Sequence, residues 1–257
     1  MPDREIHRAA RVGFQAAAPE YERGRPDYPE TAVRALVEHL RITPGSVVLD
    51  LAAGTGKLTR HLVPFGARLV AVEPVEAMRA TLARNLPGVL ALAGTAEAIP
   101  LSAGSVDAAV VAQAFHWFDP DGALAELHRV LRPGGRLGVI YNVRDETFGL
   151  MAEFTRIFQP YRGDTPSHET RGWRHAFEQT ALFTPLEKMT VPHRHRLSRQ
   201  GVVDRVLSIS FIAELPDRER QAVADRVLAV LDRDPATRGK QEIDLPYRTD
   251  VYWCERR

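Results

Sequence analysis

The sequence predicts an α/β fold: a mostly parallel sheet with helices on both faces, followed by a mainly helical cap. Three observations carry this. Between Val47 and Asn142 short Val/Ala/Leu runs alternate with amphipathic stretches, the pattern of consecutive βαβ units. Those runs are apolar on both faces, as strands covered on both sides require. One of them ends in a glycine-bearing turn that leads straight into a helix, the geometry that lets backbone approach a ligand.

In chain order, strands are expected over Val47–Leu51, Leu69–Val72, Val89–Ala93, Ala108–Ala112 and Gly135–Tyr141, each short and apolar. Helices are expected near Lys57–Phe65, Val75–Asn85 and Asp121–Leu131. The last of these ends at Arg132-Pro133-Gly134-Gly135, where proline stops the helix and paired glycines permit the turn back. From Arg144 to about Asp234 strand signals are few. An amphipathic pair, Gly201–Ile212 and Arg218–Leu231, is separated by Leu215-Pro216-Asp217, and one strand is expected near Leu186–His193. The β-rich tail Leu245–Trp253 is expected to add an edge strand. The organisation that follows is an N-terminal arm and α/β core over 1–143, a mainly helical cap over 144–240, and a C-terminal edge strand over 241–257 that returns to the core sheet.

At 257 residues and 44% hydrophobic content the chain can bury a full core. A formal net charge of +1 gives no field to draw in a polyanion, so nucleic acid is not an expected partner. Cys254 stands alone and can form neither an internal disulfide nor a metal cluster, which fits a reducing compartment. The start Met1-Pro2-Asp3-Arg4-Glu5 lacks a signal-peptide core, and no apolar run has bilayer length. A cytoplasmic protein, monomer or homodimer, is expected, with no membrane partner. His193 and His195 alternate without an acidic or cysteine companion and read as a solvated strand face, so no metal is expected.

The most informative segment is Val47-Val48-Leu49-Asp50-Leu51-Ala52-Ala53-Gly54-Thr55-Gly56-Lys57-Leu58-Thr59. A phosphate loop fails here because Lys57 is followed by Leu58 and the earlier glycine is missing. A dinucleotide fingerprint fails because Thr59 holds the place of its third glycine and Asp50 would repel a pyrophosphate. The same two features argue against a nicotinamide-dependent dehydrogenase. An acid at this point favours a cationic ligand. Glu73, followed by Pro74, lies 23 residues beyond Asp50 at the end of the second strand, close to the spacing of about 20 for a ribose-binding acid. The alternative for Glu73 is an exposed helix-cap carboxylate. Met78 either lies against an adenine or fills core.

Asp50-Leu51-Ala52-Ala53-Gly54-Thr55-Gly56 resembles the first motif of class I S-adenosylmethionine-dependent methyltransferases, with Ala53 where a glycine is more often found. The resemblance implies a Rossmann-like fold and S-adenosylmethionine as cofactor, whose ammonium and sulfonium groups, and lack of phosphate, suit Asp50. Gly94-Thr95-Ala96-Glu97-Ala98-Ile99-Pro100-Leu101 resembles the adenine-binding segment of this family. Thr95 stands where an Asp is usual, which shifts recognition to the backbone of Ala96 and Glu97. Gln113-Ala114-Phe115-His116-Trp117-Phe118-Asp119, after the fourth strand, resembles a small-molecule branch that includes the trans-aconitate methyltransferase type. Gln113 is taken to the cofactor side.

Methyl transfer is an in-line displacement that positioning and desolvation can drive, and a base is needed only for a protonated acceptor. His116 could take that proton, hydrogen-bond the cofactor or substrate, or be structural. Phe115 and Trp117 shape a pocket or belong to the core. The arm from Phe14 to Pro29 resembles the family's N-terminal lid, which would bring Tyr21 and Arg25 over the cofactor, Arg25 reaching its carboxylate; the alternative is an arm packed against the sheet. Arg144, Arg171, Tyr161 and Trp173 could bind an acidic or planar acceptor. The expected function is methyl transfer to a small molecule, O-directed slightly ahead of C- or N-directed, since no Asn/Asp-Pro-Pro-Tyr segment is present. A non-catalytic S-adenosylmethionine-binding protein on the same fold is the alternative.

Overall fold

The computed structural model describes residues 24–168 and 172–257; Phe14, Tyr21 and Arg171 lie outside them. Among the described residues we number from α1 (Glu30–His39), whose buried Ala32, Val33, Leu36 and Val37 form one stripe of a 3.6-residue period. The chain continues as β1 (Val47–Leu51), α2 (Thr59–Leu62), β2 (Arg68–Val72), α3 (Glu76–Asn85), β3 (Leu90–Leu92), β4 (Val106–Ala112), α4 (Pro120–Val130) and β5 (Leu131–Arg144). Then follow α5 (Gly149–Phe158), α6 (Gly172–Gln179), β6 (Glu187–Ser198), α7 (Arg199–Leu207), α8 (Ser210–Ala213), α9 (Asp217–Arg233) and β7 (Glu242–Glu255).

The seven strands form one sheet in the order β3-β2-β1-β4-β5-β7-β6. β1 pairs in parallel with β2 on one side and β4 on the other, β3 adds to β2, and β5 to β4. Every residue of β1 after the first is buried, which explains its continuous apolar character around a single acid. The chain builds outward from β1 through β2 to β3 and then returns to β1's other side. The order therefore reverses between β1 and β4, where open α/β sheets hold their ligands at the carboxyl ends of the strands.

Two compact units are distinguished. Of the described residues, one comprises 24–27, 143–165 and 192–248; the other comprises 28–142, 166–168, 172–191 and 249–257. The first has its own core, where Phe154 and Phe158 of α5 pack with Val202, Val206, Val227 and Leu231. In the second, Leu36, Leu40, Val48, Leu69, Val110 and Ile140 pack together.

Three segments differ from what the sequence suggests. The C-terminal strand, expected at the edge, lies between β5 and β6, and from Thr249 to Cys254 it is buried without a break. The edge belongs to β6, which is longer than expected and alternates exposed with half-buried residues. His193 and His195 are thus not on a solvated face. They share the half-buried side with Met189, Val191 and Leu197, and burial pushes the His193 imidazole below its usual value against the raising effect of Asp27. Finally, Arg132–Gly135 is not a turn ahead of the strand. Leu131 already pairs with Val106, and the residues that follow loop out of register before Arg136 pairs with Ala108. Among the described residues no helix is long and apolar enough to cross a membrane.

Candidate active site

The unit built on β1–β5 collects its polar groups at the carboxyl ends of four neighbouring parallel strands. At the tip of β1, Asp50 is buried and paired in register with Ala71 and Val110. Its Oδ2 accepts a 2.6 Å hydrogen bond from the Thr59 hydroxyl. Burial, with the neighbouring Glu73 charge adding to it, raises the Asp50 carboxyl to about 7, against the lowering effect of Thr59. After Asp50 the backbone turns sharply: Ala52, Gly54 and Gly56 all have positive φ, of 56°, 59° and 86°. Alanine rarely adopts that conformation, and a second non-glycine residue in it, Gln113 at φ 58°, stands at the tip of β4. Strained backbone thus sits at the ends of the two strands that flank the reversal point.

Glu73, at the tip of β2, ties this loop down. Its Oε2 accepts from the Gly54 N–H at 2.8 Å and its Oε1 from the Val75 N–H at 2.9 Å. Glu73 is buried, so it is not an exposed cap carboxylate, although its Oε1 holds the N–H of Val75, the residue that precedes α3. Each oxygen keeps a further lone pair for a hydroxyl donor. Burial raises the Glu73 carboxyl, opposed by the two backbone donors. Arg79 Nη1 donates to the Glu73 and Pro74 carbonyl oxygens at 2.8 and 3.3 Å and holds the turn from outside. Met78 is buried, and its Sδ lies 3.8 Å from where a Cβ on Gly54 would be. Gly56 is needed for space as well as conformation, because a Cβ there would come within 2.9 Å of Leu86 and 3.0 Å of Leu82.

Beyond β3, Thr95 and Ala98 form an isolated bridge, and Ala96 is buried. The Glu97 side chain is not a plain surface carboxylate: its Oε1 accepts from the Asp119 N–H at 3.0 Å, at the start of α4. Glu126 and Arg129 of α4 hold the same loop through the Ile99 N–H and the Ile99 and Leu101 carbonyls. Beyond β4, Gln113 turns its amide to the Asn142 carbonyl at 3.3 Å. Phe115–Trp117 forms a short 3-10 turn. Phe115 is fully buried, 5.0 Å from Phe177, 5.3 Å from Phe118 and 5.8 Å from Trp173 between ring centroids, and so belongs to the core. His116 and Trp117 are half-buried.

The remaining expected residues divide by unit. Trp173 joins the aromatic cluster around Phe115, and its Nε1 donates to the His168 carbonyl at 2.9 Å. Arg25, Arg144 and Tyr161 lie in the other unit, Arg25 donating to the Ser208 carbonyl at 3.4 Å and Arg144 stacking over Phe158 at 4.5 Å. Three participants escape the sequence reading. Thr59 registers there only as a missing glycine; Tyr141 and Arg79 carry no motif signal, and only strand register and helix phase bring them to the site.

The matched family model, Methyltransferase domain, spans residues 49–139, from β1 into β5. A Mycobacterium bovis protein described as an uncharacterized methyltransferase is 41% identical over 244 residues, 93% of each chain. This chain is a class I methyltransferase. A solved structure from Anaeromyxobacter dehalogenans, described as a candidate type II methyltransferase, superposes with a TM-score of 0.67 at 26% identity, over 90% of this methyltransferase and 97% of that chain. A demethylmenaquinone methyltransferase of Beutenbergia cavernae is 39% identical over 107 residues, 41% of this chain and 45% of the other.

S-adenosylmethionine is the cofactor of the methyltransferase. The cradle suits it. Asp50 Oδ1 and Thr55 Oγ1 are buried with no hydrogen-bond partner among the described residues, and buried polar atoms are rarely left so. A buried acid beside a glycine turn and a second acid on the next strand form a donor-seeking surface, fitted to an ammonium group and to ribose hydroxyls.

Proposed function

We propose that this methyltransferase methylates a small molecule seated at the carboxyl end of β4, at an oxygen ahead of carbon or nitrogen. The observation that carries the reading is the Phe115–Trp117 turn, which stands at the tip of the strand beside β1 with His116 half-buried in it. The Beutenbergia relative is named for a small-molecule acceptor, and that supports the class of acceptor and no more.

S-adenosylmethionine supplies an electrophilic methyl on a sulfonium leaving group. In this reading Asp50 and the Ala52–Gly56 loop receive its amino-acid arm, Glu73 with Pro74 receives the ribose, and Met78, Thr95, Ala96 and Glu97 line the adenine. The Glu97 carboxylate is engaged with Asp119, so the backbone of Ala96 and Glu97 is the recognising part. Gln113 lies on the cofactor side, and His116 and Trp117 face the acceptor. Aromatic walls exclude water and hold the acceptor in line with the methyl carbon.

The test is incubation with methyl-labelled S-adenosylmethionine and separate panels of small carboxylic acids, phenols, amines, protein and nucleic acid. Label in an extractable small product, in the acid or phenol panel, is the expected result. Label in protein or nucleic acid would contradict it.

A further inference from the structure

We infer that Tyr141 fixes His116 in the tautomer that carries its hydrogen on Nε2, so that His116 meets the acceptor as a hydrogen-bond donor and not as a base. The role toward the acceptor rests on the proposed reading of the β4 loop; the tautomer does not.

Tyr141 is buried in β5, where Ala112 of β4 pairs with the preceding residue, Ile140. Its hydroxyl oxygen lies 3.2 Å from the His116 backbone nitrogen and 3.2 Å from His116 Nδ1. A backbone N–H can only donate, so the hydroxyl oxygen accepts there. The hydroxyl has one hydrogen of its own. The Phe115 backbone N–H also acts on this oxygen, again as a donor, and among the described residues His116 Nδ1 is the one group in reach that could accept the hydroxyl hydrogen. If Nδ1 carried a hydrogen and donated it, the oxygen would face donors alone while its own hydrogen had no acceptor among the described residues, an arrangement buried polar groups avoid. The consistent assignment has Tyr141 donating to Nδ1, which leaves Nδ1 without a hydrogen and places the imidazole's hydrogen on Nε2.

The phenol is held in this role. Burial pushes its ionisation far above the usual tyrosine value, so the donor hydrogen stays on oxygen. Its ring is wedged between His168 at 5.3 Å and Trp173 at 5.4 Å. Tyr141 is a positioning residue, and an acceptor oxygen that is already ionised, such as a carboxylate, keeps a lone pair for the methyl while Nε2–H orients it, so no proton has to be removed.

The experiment is long-range proton–nitrogen correlation NMR on the full chain labelled with nitrogen-15, at a pH where imidazoles are neutral. His116 is assigned by loss of its signals in His116→Gln. The expected wild-type pattern is a pyridine-type Nδ1 and a pyrrole-type Nε2, shifting toward a mixture of tautomers in Tyr141→Phe. A pyrrole-type Nδ1 in the wild type would overturn the inference, as would an unchanged His116 pattern in folded Tyr141→Phe. If that variant does not fold, the wild type supplies a second readout. A slowly exchanging Tyr141 hydroxyl proton with cross-relaxation to the His116 ring is expected, and its absence counts against the assignment. None of these readouts needs methyl transfer, so failure of the proposed function in the labelling screen remains distinguishable.

Discussion

Glu73 grips Gly54: one carboxylate oxygen accepts the Gly54 N–H at 2.8 Å while the other accepts the Val75 N–H at 2.9 Å. One buried acid therefore couples the loop after β1 to the first turn after β2. Charge-assisted bonds of this kind are the strong ones. The parts of the cradle respond differently to substitution.

Gly56→Ala should destabilise the fold by about 1–3 kcal/mol. The added methyl meets both a positive φ of 86° and the Leu82 and Leu86 side chains. Gly54→Ala faces only Met78 Sδ at 3.8 Å and a φ of 59°, and should lose about 1–2 kcal/mol. Urea unfolding of both variants checks the order; a Gly54→Ala loss larger than that of Gly56→Ala would contradict the packing described.

Asp50 gives the protein a pH dependence with a definite sign. Its folded-state value of about 7 lies above the ordinary 3.8, so between these limits the folded state holds a proton that the unfolded state releases. The contribution to stability is complete below pH ~4 and declines as pH rises toward 7. Asp50→Asn removes the decline and should stabilise the unliganded protein at pH 8 by up to about 4 kcal/mol, three units at about 1.4 kcal/mol each. On the proposed assignment of Asp50 to the amino-acid arm, it should also weaken S-adenosylmethionine binding. Unfolding curves at pH 5 and pH 8 check the first part; equal slopes for both proteins would refute it.

Phe115→Ala should cost about 3–5 kcal/mol, the usual price of emptying a fully buried aromatic site. Chemical denaturation measures it. A loss below about 1 kcal/mol would return Phe115 to the pocket wall.

Cys254 is buried in β7, and burial pushes its thiol up to about 12. A thiol without thiolate character is a poor nucleophile. Alkylation of the native protein should proceed only at the rate of unfolding, and labelling within minutes under native conditions would contradict the burial.

How much of this was legible in the sequence depends on the range of the interaction. β1 is found over Val47–Leu51 as the periodicity predicts, and the site acids stand at strand tips because an apolar run followed by a glycine turn is a local pattern. Fold class and cofactor followed from that pattern. Pairing partners did not. The β-rich composition of the tail suggested an edge strand, yet β7 is interior, while the true edge is β6, whose two-residue alternation is the half-exposed pattern an edge leaves. Tyr141 and Thr59 were invisible for a related reason: a hydroxyl announces itself only through its partner, and Asp50 and His116 are brought to them by register and by the first turn after the loop.

The most direct test of the cradle is calorimetric titration of S-adenosylhomocysteine into the wild type and Glu73→Ala, with NAD as the control ligand. Micromolar binding to the wild type, about −8 kcal/mol, with a loss of at least about tenfold in the variant and none of it with NAD, is the predicted result. No binding by the wild type, or equal affinity in the two proteins, would contradict it.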